Sequence, residues 1–368
     1  MRAIIAGGGT GGHVFPGIAV AQALGERGDV EVLFVGTARG IEFEAAPRAG
    51  FALVTIPARQ VRGGGLRRAL GGSAAALWAI AAGIRAIARF RPDIVVGVGG
   101  YASAPMVVAA WLARVPTLLL EQNVIPGATN RHLGRLARRV CVSFSETATS
   151  FAGSRVVCTG NPVRPEIVAV ARRRRARGDG GIEEQTRLTL LVIGGSAGAH
   201  HLNVEVVEAI ALLRLRVNGL RVVHQTGTAD AEEARARYAS LSVDAEVRPF
   251  FSEMAGVYET ADLVVCRAGA TTIAELLTVG LPAILVPYPY AADDHQRRNA
   301  EVVVAAGAGM LILDRELSAE RLAVALATLI DDLPRRQQMA QAAQALARPD
   351  AGRMVAEQCW AVVAGNSR

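Results

Sequence analysis

The sequence predicts an α/β protein of two similar halves, each built round a parallel sheet, and three observations carry that prediction. Short β-branched runs alternate with longer alanine-rich segments of helical period along the chain. The succession of strand, glycine loop and helix that opens at Arg2 begins again at Leu188. Between the two lies Gly160-Asn161-Pro162-Val163-Arg164-Pro165, where two prolines stop either kind of element and leave a stiff connection. A length of 368 residues gives each half enough chain for its own core. One domain is therefore expected over 1–162 and a second over 163–350, with a C-terminal helix near 351–365 packing back on the first.

In the first half, strands are expected at Arg2 to Ala6, Val30 to Val35, Leu53 to Ile56, Asp93 to Val96, Thr117 to Leu120 and Arg139 to Ser143, with a first helix starting near Pro16. In the second, they are expected at Leu188 to Ile193, Arg221 to His224, Leu263 to Cys266 and Ala283 to Pro287, with a helix from about Asn203. Open parallel sheets bind ligands outside the carboxyl ends of their strands, so the loops after these strands should face one central cleft.

Composition narrows the class. Apolar residues make up 51% of the chain and charged residues 20%, which excludes wholesale disorder, and the 39 glycines follow no triplet period, which excludes a fibrous reading. Cys141, Cys158, Cys266 and Cys359 form no CxxC pair and have no histidine at ligand spacing, so neither a zinc site nor a disulfide framework is indicated, and a reducing compartment is expected. The apolar run after Met1 is too short for a secretory signal. Ala69 to Ala88 holds one charge, Arg85, and reaches the length of a membrane span, but it is mostly Ala and Gly and reads as a helix packed on a sheet.

The charge is one-sided. Every basic residue is arginine; 17 of them face 8 acids from Met1 to Pro162, while 23 face 25 acids from Val163 onward. No acid falls between Glu44 and Asp93, where Arg48, Arg59, Arg62, Arg67, Arg68, Arg85, Arg89 and Arg91 lie, nor between Glu121 and Glu146, where Arg131, Arg135, Arg138 and Arg139 lie. Interleaved with Leu66, Leu70, Leu77, Trp78, Ile80, Ile84 and Phe90, these clusters suit the surface of an anionic membrane. The run Arg172 to Arg177 reads as a solvated loop. Nucleic acid is not expected as a partner, because aromatic residues make up only 5% of the chain and give few stacking platforms.

Four glycine loops follow strands and precede helices: Gly7-Gly8-Gly9-Thr10-Gly11-Gly12-His13, Gly97-Val98-Gly99-Gly100-Tyr101, Gly194-Gly195-Ser196-Ala197-Gly198, and Arg267-Ala268-Gly269-Ala270-Thr271-Thr272-Ile273-Ala274-Glu275. The first satisfies the GxGxxG fingerprint of dinucleotide sites, but the second strand ends at Val35-Gly36-Thr37 without the acid that would hold a ribose. What remains is backbone able to approach a ligand closely and amides able to bind an oxyanion at a helix start. In the fourth loop, amides near Ala270 to Thr272 can take a diphosphate and Glu275 can accept bonds from ribose hydroxyls, unless it is only an acid favoured by the helix dipole.

GGGTGGHVFPGIAVA, GVGGYASAP, LEQN, GNPVR, GGSAGA, CRAGATTIAEL and ADDHQRRNA, in this order and over nearly the whole chain, resemble the bacterial family 28 glycosyltransferases of peptidoglycan synthesis, which add N-acetylglucosamine to undecaprenyl-diphospho-N-acetylmuramoyl-pentapeptide. The resemblance implies a GT-B fold of two Rossmann-like domains and an inverting transfer from UDP-N-acetylglucosamine to the acceptor's 4-hydroxyl, at the cytoplasmic face of the membrane. By position it implies that Thr10, Gly11, Gly12, Asn123, Arg164, Ser196, Phe251, Ala270, Thr271, Thr272, Ile273, Ala274, Glu275 and Gln296 contact substrate. Phe251 stands where the family often has isoleucine. It also puts His13 beside the acceptor as general base, where a helix N-terminus favours the neutral imidazole; the alternative is a histidine that orders the glycine loop. Glu121 is the second candidate, as base or as the group that orients acceptor or loop. No DxD sequence occurs, and no metal or cofactor is expected. The competing readings are a transferase acting on diacylglycerol, a sugar-nucleotide epimerase on the same architecture, and a non-enzymatic binding module.

Overall fold

The computed structural model describes residues 1–58, 66–151, 155–177, 187–195, 198–213 and 219–366. The chain divides into two compact units, Met1–Arg164 together with Arg348–Arg368, and Pro165–Ala347.

The first unit runs β1 (Arg2–Gly7), α1 (Gly11–Gly25), β2 (Glu31–Gly36), α2 (Glu42–Arg48), β3 (Ala52–Thr55), α3 (Leu66–Phe90), β4 (Ile94–Gly99) and α4 (Ser103–Leu112). It continues with β5 (Thr117–Glu121), α5 (Ala128–Leu133), β6 (Arg139–Val142) and β7 (Val156–Cys158). Its seven strands are ordered β3-β2-β1-β4-β5-β6-β7 and pair in parallel throughout. The second unit runs α6 (Pro165–Ala176), β8 (Leu188–Ile193), α7 (His200–Leu212), β9 (Leu220–Gln225), α8 (Ala231–Ser240), β10 (Asp244–Arg248) and α9 (Met254–Thr260). There follow β11 (Leu263–Cys266), α10 (Ala270–Val279), β12 (Ala283–Leu285), α11 (His295–Ala305), β13 (Gly309–Leu311), α12 (Ala319–Asp331) and α13 (Leu333–Leu346). Its six strands are ordered β10-β9-β8-β11-β12-β13, again all parallel. The last helix, α14 (Ala351–Asn366), belongs to the first unit.

Side chains on a strand alternate between faces, and β1 shows what that does to packing. Ala3 and Ile5 join Val14, Leu24, Val355, Ala356 and Cys359 in a core under α1 and α14. Ile4 and Ala6 join Ile87, Met106 and Ala110 in a core under α3 and α4. Covered on both faces, β4 is buried from end to end, which explains why central strands read as unbroken apolar runs. In the second unit, Leu190, Val192, Leu263 and Val265 pack with Leu202, Val206 and Ile210 of α7 and with Leu322, Leu326 and Leu329 of α12. Each such aliphatic side chain contributes about 1.5–3 kcal/mol on full burial.

Several expectations need correction. β7, β10 and β13 have no counterpart in the sequence reading: all three are edge strands, two are only three residues long, and β10 reads Asp-Ala-Glu-Val-Arg. Helix α1 starts at Gly11 rather than near Pro16, because Gly8 and Gly9 complete the turn in positive-φ conformations and the helix begins directly after them. Val163 and Arg164 fall with the first unit, since the Arg164 guanidinium stacks on Phe15 of α1 at 4.3 Å. Arg348 to Asp350 also fall there; a Cβ on Gly160 would lie 2.4 Å from that of Arg348. The arginine run from Arg172 is the end of α6 rather than a loop. Arg174 is 2% exposed and donates to the carbonyls of Glu259 and Ala261, both at 2.9 Å, where α9 ends with unpaired acceptors. Arg173 forms a two-pronged pair with Glu259.

Candidate active site

In each sheet the strand order reverses at one place, between β1 and β4 in the first unit and between β8 and β11 in the second. Loops diverge at such a point and leave a crevice at the carboxyl ends of the strands. All four glycine loops predicted from the sequence emerge there.

In the first unit the β1–α1 and β4–α4 loops touch backbone to backbone. Gly8 N–H donates to Gly99 O at 3.2 Å, and a Cβ on Gly100 would lie 1.9 Å from Gly8 O, so only glycine fits at position 100, where φ is +80°. Thr10 and Gly12 are exposed, Gly11 is half-buried, and His13 lies in the first turn of α1. Thr10 Oγ1 stands 3.3 Å from His13 Nδ1. The imidazole rests on Gly99, where a Cβ would come 2.5 Å from His13 Cδ2.

Glu121 ends β5 and is 3% exposed. Its carboxylate accepts from the Asn123 backbone at 3.0 Å, Asn123 Nδ2 at 3.3 Å, the Gly127 backbone at 3.2 Å and Asn130 Nδ2 at 2.9 Å. Burial pushes its pKa above the usual carboxylate range, while these bonds pull it back down. Through these bonds Glu121 fastens the loop that carries Asn123.

In the second unit Ser196 lies outside the described residues. The glycine before it is held by Gln225, which is 3% exposed, donates from Nε2 to Gly195 O at 3.2 Å and accepts the Phe251 N–H at 3.0 Å. Phe251 is itself 5% exposed, and the open ring of the pair is Phe250, at 45%. Helix α10 begins after Gly269, which has no side chain to cap the amides of Ala270, Thr271 and Thr272. The loop below is pinned by Asn299, whose Nδ2 donates to Ala268 O at 3.3 Å. Ile273 packs into the core, Ala274 is half-buried, and Glu275 is 5% exposed and accepts the Tyr258 hydroxyl at 2.9 Å. Gln296 Oε1 accepts from the Tyr288 backbone at 2.9 Å, which orients its amide. Just before it, Asp293 and Asp294 both adopt left-handed backbone, with φ of +53° and +54°, strain of a kind that collects at functional loops.

Sequence reasoning missed Gln225, Phe250 and Glu42. The first two flank predicted positions; Glu42 follows β2 in Gly36-Thr37-Ala38-Arg39-Gly40-Ile41-Glu42, a few residues beyond the place searched for a ribose-binding acid. Among the described residues, no group of three or more histidine, cysteine or acidic side chains is placed to hold a metal ion.

Residues 3–142 match the glycosyltransferase family 28 N-terminal domain and residues 189–354 its C-terminal domain. An N-acetylglucosamine transferase of Geobacter sulfurreducens, named for action on N-acetylmuramyl-(pentapeptide) pyrophosphoryl-undecaprenol, is 46% identical over 97% of this chain and 98% of its own length. A protein of the same name from Anaeromyxobacter sp. (strain Fw109-5) is 43% identical over 100% of this chain and 97% of its own. The crystal structure of Acinetobacter baumannii MurG superposes with a TM-score of 0.76 at 31% identity, covering 98% of this chain and 99% of that one. A UDP-GlcNAc 2-epimerase from Neisseria meningitidis, at 13% identity and a TM-score of 0.69 over 98% of this chain and 100% of its own, shares the fold alone. On the matched domains, the paired parallel sheets and the full-length similarity, the chain belongs to glycosyltransferase family 28.

Proposed function

We propose that this protein is the inverting glycosyltransferase that moves N-acetylglucosamine from UDP-N-acetylglucosamine to the 4-hydroxyl of undecaprenyl-diphospho-N-acetylmuramoyl-pentapeptide, making the β-1,4-linked lipid precursor of peptidoglycan. The observation that carries this reading is the full-length similarity to transferases of that name, joined to glycine loops at the switch point of each sheet.

The second unit is read as the donor-binding domain. At the start of α10 the backbone N–H groups of Ala270 to Thr272 and the helix dipole favour a diphosphate, and the charge that develops on departing UDP is stabilised by groups already in place. Glu275, steadied by Tyr258, accepts from the ribose, and Gln296 offers its oriented amide to the sugar.

The first unit is read as the acceptor and membrane-binding domain. His13, oriented through Nδ1 by Thr10, takes the proton of the 4-hydroxyl as that oxygen attacks the anomeric carbon from the face opposite UDP, which inverts the configuration there. Arg164, stacked on Phe15 in the same unit, supplies a fixed positive charge. One face of α3 carries Leu77, 68% exposed, and Trp78, 62% exposed, beside exposed Arg85, and suits peripheral attachment to an anionic bilayer. No described helix is long and apolar enough to cross a membrane.

Incubation of labelled UDP-N-acetylglucosamine with the lipid-linked muramoyl acceptor tests the reading. Label should pass into a lipid-soluble disaccharide with release of UDP. Conversion of the donor to a C2 epimer, or transfer to diacylglycerol in place of the muramoyl lipid, would overturn it.

A further inference from the structure

Glu42 is wholly buried at the start of α2, yet no step of the chemistry above uses it. One carboxyl oxygen, Oε2, accepts the Gly9 N–H of the β1–α1 loop at 2.7 Å. The other, Oε1, accepts both the Thr37 N–H and the Thr37 hydroxyl at 2.8 Å. The chain around it makes room for this group. A Cβ on Gly8 would lie 2.1 Å from its Cδ, one on Gly36 would lie 2.4 Å from its Cγ, and one on Gly40 would lie 2.0 Å from its Oε2. Three glycines thus form a seat for one side chain. Gly8 and Gly9 have φ of +152° and +92°, so the loop that wraps the seat is held in conformations that an unconstrained chain would readily leave. In a dinucleotide-binding unit the acid after the second strand reaches outward to a ribose; here it turns inward and takes a loop amide that a phosphate oxygen would otherwise find.

We infer that Glu42 is a positioning residue for the transfer reaction, an internal acceptor that locks the β1–α1 loop and through it sets Thr10 and His13. The connection is short. Gly9 is bonded to Thr10, the Thr10 carbonyl accepts the His13 N–H at 3.1 Å, and the Thr10 hydroxyl meets the His13 ring. The inference rests on the reading that this loop serves the acceptor.

The test is Glu42→Gln in the full chain, assayed with UDP-N-acetylglucosamine and the lipid-linked acceptor in detergent. A glutamine amide group has to face Gly9 N–H or the two Thr37 donors, so donor meets donor and the loop loses at least one bond. We expect kcat to fall on the order of tenfold to a hundredfold, while the dissociation constant for UDP, read by calorimetry, stays within about twofold. Amide exchange of the segment 7–13 should accelerate, with the second unit unchanged. If Glu42→Gln does not fold, Thr37→Val removes one donor while keeping the shape and carries the same comparison. In a His13→Ala background, Glu42→Gln should cost much less than in the native one, since both changes disable the same group. A native kcat in the folded variant, or unchanged exchange over 7–13, overturns the inference. Full activity of His13→Ala overturns the general-base reading instead, and leaves the Glu42 comparison in the native background to stand or fall separately.

Discussion

His224 shows how completely one residue can be specified by its neighbours. It is fully buried in the second unit, with Nε2 3.1 Å from Asn203 Oδ1 and Nδ1 3.0 Å from the Tyr238 hydroxyl. Asn203 Nδ2 already donates to Thr226 O at 2.8 Å and Asp230 Oδ2 at 2.7 Å, so its oxygen is the acceptor and the imidazole proton sits on Nε2. Burial pushes the His224 pKa from 6.5 down to about 3. The unfolded chain therefore takes up this proton near 6.5, while the folded one holds it off until about 3. Stability is full above the higher value and declines as pH falls between the two, by up to about 1.4 kcal/mol per unit. His200 works the other way: a bond to Asp230 raises its pKa, so its contribution is lost as pH rises. Denaturant titration at pH 7 and pH 5 should cost the native protein about 2 kcal/mol more than it costs His224→Gln. Equal losses would place the acid sensitivity elsewhere. His13, the proposed general base, belongs to the first unit and invites the complementary measurement, His13→Ala. We expect kcat to fall by about 10²- to 10⁴-fold with the UDP dissociation constant unchanged, measured by steady-state kinetics and calorimetry.

Among the elements, α3 joins two demands on one helix. Ala79, Gly83, Ile87 and Phe90 recur at helical spacing and face inward; a Cβ on Gly83 would lie 2.9 Å from Met106 Sδ of α4, which is how close the two helices come. The opposite stripe holds Leu77, Trp78, Ile84 and Arg85, all exposed. Phe90, counted with the surface cluster from sequence, is instead 9% exposed with the Arg2 guanidinium over its ring at 4.5 Å. Arg59 and Arg62 of that cluster lie outside the described residues. Replacing Trp78, Arg85 and Arg89 with alanine should abolish sedimentation with anionic vesicles and leave UDP affinity intact. Sedimentation at the native level would reduce the stripe to ordinary surface. The same helix explains what was legible in the sequence. A run of apolar residues with one period names an element, so the central strands and the glycine loops between them could be read directly. Edge strands such as β13 carry no such period. Arg174 falls on the buried stripe of α6 with Ile167, Val170 and Ala171, but its type suggested solvent. Glu42 was invisible because two of its three donors are backbone amides, which no side-chain pattern records.

At the level of the whole molecule, the second unit is one continuous stretch, whereas the first is made from both ends of the chain. Its sheet is sealed on one face by α14, whose Val355, Ala356 and Cys359 are almost wholly buried beside Val14, Leu24 and Cys141. Deleting residues 348–368 removes several side chains of this kind, each contributing about 1–3 kcal/mol against a total stability of about 5–15 kcal/mol. We expect the shortened chain to keep a folded second unit and lose the first. Thiol labelling reads this directly: Cys141 and Cys359 are shielded in the intact protein while Cys158 is exposed, so Cys141 should react as fast as Cys158 after the deletion. Slow labelling of Cys141 would mean that the sheet closes without α14. During synthesis the order of completion is then inverted. The residues made first wait, with one face of their sheet only partly covered, while the inserted unit is translated and folds as a contiguous piece. The His13 loop stands on a finished scaffold only once α14 has packed beside α1, so a nascent chain that stops before residue 348 should be unable to transfer sugar.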